Sequence, residues 1–224
     1  MARGVAVPQD VTTLIHGRVS LALHGLKDGS GRPLLLLHGL GLHSPSSLPP
    51  DLEVWPGPVY GLDFTGHGDS TVPNGGGYTP ELLMGDVDAA IERLGHVTLL
   101  GRGLGAYVAL LTAGARADAV RGAILCDGPG MNGGGSSPGT PQIVRIDPTD
   151  PSPPDPFALA ELSRDIRPPD YAVDFARLAM ERSGMSNPLA VCAKARPDWL
   201  VAAADEVGAA PMTLTGALKM YARA

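Results

Sequence analysis

Only two of the 224 residues are cysteine, too few for a disulfide framework in a chain of this size. Cys126 and Cys192 each lie in an apolar, strand-like run, where a thiol is expected to be a small buried hydrophobe, as suits a reducing compartment. Positive charge is also scarce: 17 Lys and Arg against 23 Asp and Glu leave a formal charge of −6. That balance provides no basic face for nucleic acid or anionic lipid. No apolar run approaches the roughly 18 residues of a membrane span, and the opening MARGVAVPQD lacks the apolar core of a signal peptide. A cytoplasmic protein bound neither to nucleic acid nor to a membrane is expected. No two-His or Cys/His spacing of a known metal site occurs, and neither metal nor cofactor is expected.

What the chain does have is apolar periodicity punctuated by 30 glycines and 22 prolines, and its length suits one domain over residues 1–224. Val11–Ile15 and Arg18–Leu23, parted by His16-Gly17, read as an antiparallel pair with His16 and His24 as surface or rim imidazoles. Pro33–Leu37 is apolar at consecutive positions, as for a central strand covered on both faces. Gly57–Asp63 and Val120–Cys126 are further short strands, and Leu189–Ala193 another. Thr79-Pro80-Glu81 opens a helix that Gly95 stops. Helical patterns recur at 156–165, at 170–184 with Tyr171, Phe175, Leu178 and Ala179 on one face, at 196–208 and at 215–224. Met131–Pro156 is a Gly/Ser/Pro/Asp-rich loop, and Met212–Leu214 is undecided as a last strand.

The stretch His96–Arg116 organises the rest. A short strand meets glycines at 101, 103 and 105, and an Ala/Leu-rich helix follows. Three readings of the turn compete. Gly101-x-Gly103-x-x-Ala106 satisfies a dinucleotide fingerprint, with Asp127 about where a ribose-binding acid would lie. The glycines could also simply allow close helix–strand packing. The third reading is the frame of a G-x-S-x-G nucleophile elbow, with glycine at its centre. A phosphate-binding loop is excluded because no Gly-Lys-Ser/Thr follows.

The flanking sequence favours the elbow. His38-Gly39-Leu40-Gly41 follows the central strand, and Gly61, Asp63, Gly66, His67, Gly68 and Ser70 form G-x-D-x-x-G-H-G-x-S. In that order, with the elbow frame and the strand ending at Asp127, these segments resemble the α/β-hydrolase superfamily. The resemblance implies an α/β fold with a mostly parallel twisted sheet flanked by helices. It places core residues at 1–127 and 186–224 and a reduced lid at 128–185. It makes Asp63 and Ser70 loop anchors, His67 a fold marker, and the N–H groups of Leu40 and Leu104 an oxyanion-hole remnant.

Catalysis in that family needs an elbow nucleophile, then an acid, then a histidine. Gly103 has no hydroxyl, and all six histidines (16, 24, 38, 43, 67, 96) precede it. Only Asp127 stands where a triad acid could, and an Asp before a glycine turn is also a common loop anchor. The expectation is a non-hydrolytic protein whose pocket, enlarged by loss of the Ser and His side chains, binds a small apolar or carbonyl-bearing ligand or a partner. His38, Gly39, Leu40, Arg102, Gly103, Leu104 and Asp127 would line it. Two alternatives stand beside this: an enzyme using Asp127, His38 or His43 as acid or base, and a dinucleotide-binding protein. A homo-oligomer is left open.

Overall fold

In the computed structural model, which describes residues 10–134 and 152–223, the four leucines of β3 (Leu34–Leu37) are buried on both faces of a seven-stranded sheet. The other strands are β1 (Val11–His16), β2 (Val19–Lys27), β4 (Val59–Leu62), β5 (Val97–Arg102), β6 (Val120–Cys126) and β7 (Leu189–Val191). Their order is β1-β2-β4-β3-β5-β6-β7. The first two joints, β1 with β2 and β2 with β4, are antiparallel, and all the others are parallel. The expected mostly parallel sheet is therefore present. Met212 does not extend it: Pro211 makes one isolated parallel bridge to Val191, and the chain then turns into a helix.

The helices are α1 (Pro80–Leu94), α2 (Leu104–Ala115), α3 (Pro156–Arg164), α4 (Pro169–Arg182), α5 (Asp198–Glu206) and α6 (Leu214–Tyr221). The start of α1 matches its sequence signature, with the Thr79 hydroxyl accepting from the Leu82 N–H and Pro80 at the first helical position. Gly95 ends it at φ 78°, a conformation that favours glycine. Alternation along each strand divides the core in two. Leu35, Leu37, Leu99, Ala123 and Leu125 face the cluster that includes residues of α1, α2, α4 and α5. Leu34, Leu36, Leu100, Ile124 and Cys126 face α6 and the turn carrying Leu52 and Trp55.

The proposed lid segment 128–185 does not behave as one unit. Residues 135–151 lie outside the described residues. Helix α4 packs into the body against α2 and α5, so closely that a Cβ on Gly114 of α2 would come within 2.8 Å of the Phe175 Cα. Its buried stripe is Ala172, Ala176 and Ala179, with Tyr171 and Phe175 stacked edge to face beside it at 5.0 Å. Of the face expected from periodicity, Ala179 is buried and Tyr171 and Phe175 pack against the core, with Ala172 and Ala176 buried beside them. Helix α3 lies elsewhere, over the ends of the strands, with Leu159 against Gly41 and Glu161 accepting from the Gly77 and Tyr78 N–H groups at 2.8 and 2.6 Å.

Candidate functional site

The loop after β4 is anchored as the motif implied. Asp63 accepts from the N–H groups of Ser44 (2.6 Å) and Asp69 (2.8 Å) and from His24 Nε2 (2.9 Å). The Ser70 hydroxyl donates to Asp63 O at 2.6 Å and accepts from the Ala22 N–H at 2.9 Å. These donors hold the Asp63 carboxyl below its ordinary range despite the opposing effect of burial, which is the largest single influence on it. His67 is fully buried, with Nδ1 donating to Thr65 O at 3.1 Å. His24 is buried as well, not a surface imidazole, because β2 lies between β1 and β4 and its side chain reaches Asp63. His16 is half-buried and donates to Asp86 at 2.7 Å. Asp86 is a buried carboxylate inside α1 that also takes the Thr65 N–H and hydroxyl at 2.8 and 2.9 Å. Nothing in the helical pattern distinguished Asp86, since its partners lie on other elements. Among the described residues His24, Asp63 and Asp69 also offer potential metal-ligand atoms within 4.8 Å of one another. The donors already on Asp63 account for that cluster as a loop anchor.

The turn at the end of β5 has the geometry of a nucleophile elbow without a nucleophile. Gly103 has φ 59° and ψ −117°, a strained region for any residue with a Cβ. A Cβ on Gly101 would overlap the Gly105 carbonyl, and one on Gly105 would overlap the Leu37 carbonyl, so the outer glycines let α2 lie against β3 and β5. The first N–H groups of α2 are all taken by backbone carbonyls: Leu104 by Pro129 O at 2.9 Å, Gly105 by His38 O at 3.2 Å and Ala106 by Gly103 O at 3.0 Å. The Gly103 N–H, just ahead of the helix, goes to Cys126 O at 3.0 Å. A pyrophosphate would need those donors, so the geometry gives no support to the dinucleotide reading, and the glycines serve close packing.

The N–H groups of Leu40 and Leu104 converge. Both point at a single oxygen, the carbonyl of Pro129, at 3.0 and 2.9 Å. The expected enlarged cavity above Gly103 is instead filled by the Gly128–Gly130 segment. A Cβ on Gly103 would overlap the carbonyls of Gly128 and Pro129, one on Gly39 would meet the Pro129 ring at 2.8 Å, and one on Gly130 would meet Leu40 Cβ at 2.6 Å. Backbone of this segment occupies the place that an elbow side chain would take.

Two side chains that the sequence gave no reason to single out hold this segment. Arg167 Nη1 donates to the carbonyls of Gly130 (2.6 Å) and Met131 (2.8 Å), and Trp199 Nε1 donates to Met131 O at 3.0 Å. The Arg167 guanidinium lies 4.7 Å from the centre of the Tyr107 ring, a favourable cation–π placement. Burial pulls its pKa down to about 10, leaving it protonated at neutral pH.

The weak acid–base candidates are occupied structurally. His38 is buried: the Phe64 N–H donates to its Nε2 at 3.1 Å, and its Nδ1 donates to Gly39 O at 2.9 Å. Both ring nitrogens are used by the neutral form, and burial with His67 nearby lowers its pKa to about 3. The His43 Nδ1 donates to Ser44 O at 2.7 Å. Asp127 accepts from the Lys194 N–H on one carboxylate oxygen and the Ala195 N–H on the other, both at 2.8 Å, tying the end of β6 to the turn after β7. It is a loop anchor. Asp127→Ala should therefore lower stability by about 0.5–1.5 kcal/mol, the net worth of a hydrogen bond whose donors water can reach. Chemical denaturation measures this, and an unchanged midpoint would contradict the anchoring role.

Arg102 is half-exposed, with Asp51 at 3.8 Å. It borders a cavity of about 190 Å³ on the α6 side of the sheet, with Leu36, Leu42, Leu52 and Leu100 as apolar wall and His38, Gly39 and His43 beside them. Of the residues expected to share one pocket, His38, Gly39 and Arg102 line this cavity, whereas Leu40, Gly103, Leu104 and Asp127 do not. Among the described residues no helix is long and apolar enough to cross a membrane.

A family model described as "Alpha/beta hydrolase family" matches residues 34–224. No curated protein matches the chain. Among solved structures, the chain is similar to the haloalkane dehalogenase DatA from Agrobacterium tumefaciens C58, at 18% identity and a TM-score of 0.57, over 82% of this chain and 78% of that one. It is also similar to a membrane phospholipase A described as a bacterial virulence factor, at 15% identity and a TM-score of 0.53, over 89% and 74% of the two chains. It also matches an epoxide hydrolase from Vigna radiata at 23% identity and a TM-score of 0.46, over 57% of this chain and 40% of that one.

Proposed function

Given that the chain belongs to the α/β-hydrolase family, we propose that it is a non-hydrolytic member in which the former catalytic pocket is closed by its own backbone. One observation carries this reading: Pro129 O accepts the two N–H groups that would stabilise an oxyanion, from a segment that also fills the space of an elbow side chain. With both nitrogens of His38 and both oxygens of Asp127 engaged, no described group there is placed to activate water. The ligand site is the neighbouring 190 Å³ cavity. Its leucine walls suit a small apolar body, and the Arg102 guanidinium at its edge suits a carboxylate or carbonyl end.

Short p-nitrophenyl esters and short monocarboxylates test the two halves of the proposal. The purified protein should not turn over the esters; a rate within about tenfold of a median enzyme, near 10 per second, would refute the non-hydrolytic reading. Monocarboxylates with a compact apolar tail should raise the melting temperature, and Arg102→Gln should weaken that binding by about tenfold, the worth of one charge-assisted hydrogen bond. Equal binding by wild type and variant would remove Arg102 from the site.

A further inference from the structure

Cys126 ends β6, and Cys192 directly follows β7. The parallel ladders pair Arg102 with Cys126 and Leu125 with Val191, so one more step of the same register sets Cys126 beside Cys192. The Cys192 N–H donates to Leu125 O at 2.9 Å and keeps the strands together there. Leu100, Ile124 and Ala190 share the sheet face under α6. Arg102, Cys126 and Cys192, each two residues further along, fall on that same face by strand alternation. The carboxyl ends of three adjacent strands therefore carry a row of one guanidinium and two thiols, and both cysteines are free.

The two thiols differ in ways that suit sequential chemistry. Cys126 is buried and Cys192 only partly so. Neighbouring Cys192 and burial push the Cys126 thiol up, whereas neighbouring Cys126 and the Arg102 charge draw the Cys192 thiol down. An accessible sulfur that ionises first, next to a buried sulfur that keeps its proton, is the division between an attacking and a resolving cysteine. Neighbouring strands lie about 4.8 Å apart, within the roughly 4.4–6.8 Å that a disulfide spans between Cα atoms.

We propose that Cys126 and Cys192 form a dithiol modification site that reacts with carboxylate-bearing low-molecular-weight disulfides and closes to an intramolecular disulfide. The Cys192 thiolate attacks one sulfur of the small disulfide, breaking its S–S bond; a mixed disulfide forms on Cys192 and a small thiolate leaves, taking up a proton. Cys126 then loses its proton and attacks the Cys192 sulfur, displacing the second small thiolate, which is protonated in turn. The two protein thiols are oxidised to one disulfide, and the small disulfide is reduced to two thiols. Arg102 contributes by favouring the first thiolate and by attracting the carboxylates of the incoming reagent.

Glutathione disulfide, added to the folded full chain, tests this by intact mass and non-reducing peptide mapping. Titratable thiols should fall from two to none, the monomer should lose two hydrogens, the peptides containing Cys126 and Cys192 should be linked, and a reductant should restore both thiols. Cys126→Ser should trap glutathione on Cys192, whereas Cys192→Ser should leave Cys126 unreacted. Wild-type protein that stops at a mixed disulfide, that links only between chains, or that keeps both thiols free would overturn the proposal. These wild-type readouts decide the matter even if a serine variant fails to fold.

Discussion

Gly103→Ser should lower the melting temperature by about 4–24 °C and should create no ester hydrolysis. Two costs add. A residue with a Cβ at the backbone angles of Gly103 is strained by about 1–3 kcal/mol. The new side chain also collides with the carbonyls of Gly128 and Pro129. Moving that segment breaks the hydrogen bonds from the Leu40 and Leu104 N–H groups, worth about 0.5–1.5 kcal/mol each, and works against the grip of Arg167 and Trp199. The sum is about 2–6 kcal/mol, and a domain of this size loses roughly 2–4 °C per kcal/mol. Differential scanning calorimetry gives the melting temperature, and the ester assay gives the activity. A variant as stable as the wild type would mean that the Gly128–Gly130 segment swings aside freely. Ester turnover by the variant would mean that a base outside the described residues reaches the elbow.

Acid should destabilise the protein well above the range in which its carboxylates titrate. His38 is depressed to about 3 from an ordinary value near 6.5, by burial first and the nearby His67 second. Burial also depresses His67. Between those limits the unfolded chain takes up a proton that the native site refuses, so stability falls as pH falls. The loss begins below about 6.5 and accrues at about 1.4 kcal/mol per pH unit for one histidine. At pH 5 it amounts to about 2 kcal/mol from His38 alone, with His67 adding in the same direction. The depressed Asp63 contributes only lower down, as pH falls through its own reduced value. Urea midpoints between pH 7 and pH 5 measure the slope. His38→Gln, whose side-chain oxygen can accept the Phe64 N–H, should remove about one proton's worth of it. A flat wild-type profile across that interval would show that His38 accepts a proton in the folded state.

The legibility of the fold and of the site differs for a physical reason. Thr79-Pro80 with Gly95 delimits α1, and Leu34–Leu37 marks the central strand, because capping, turn chemistry and side-chain alternation act within a few residues. The anchoring of Asp63 and Ser70 was legible only through a resemblance carried by closely spaced motif residues. The missing elbow hydroxyl and the absence of any histidine after His96 can also be read directly from the chain, and they limit the chemistry. Asp127 was ambiguous from sequence, because its two donors lie 67 and 68 residues away on another strand's turn. Periodicity picks out Tyr171, Phe175 and Ala179 on the inward face of α4 but not its buried Ala172 and Ala176, because it weights large side chains.

By itself, then, the sequence determined the order of strands and helices, the family to which they point, and the glycine at the centre of the elbow. Tertiary structure alone decided what lies over Gly103. That segment is placed by a proline carbonyl 26 residues beyond Gly103 and by Arg167 and Trp199 further still. A backbone carbonyl has the same chemistry at every position, so no residue pattern marks where one will come to rest.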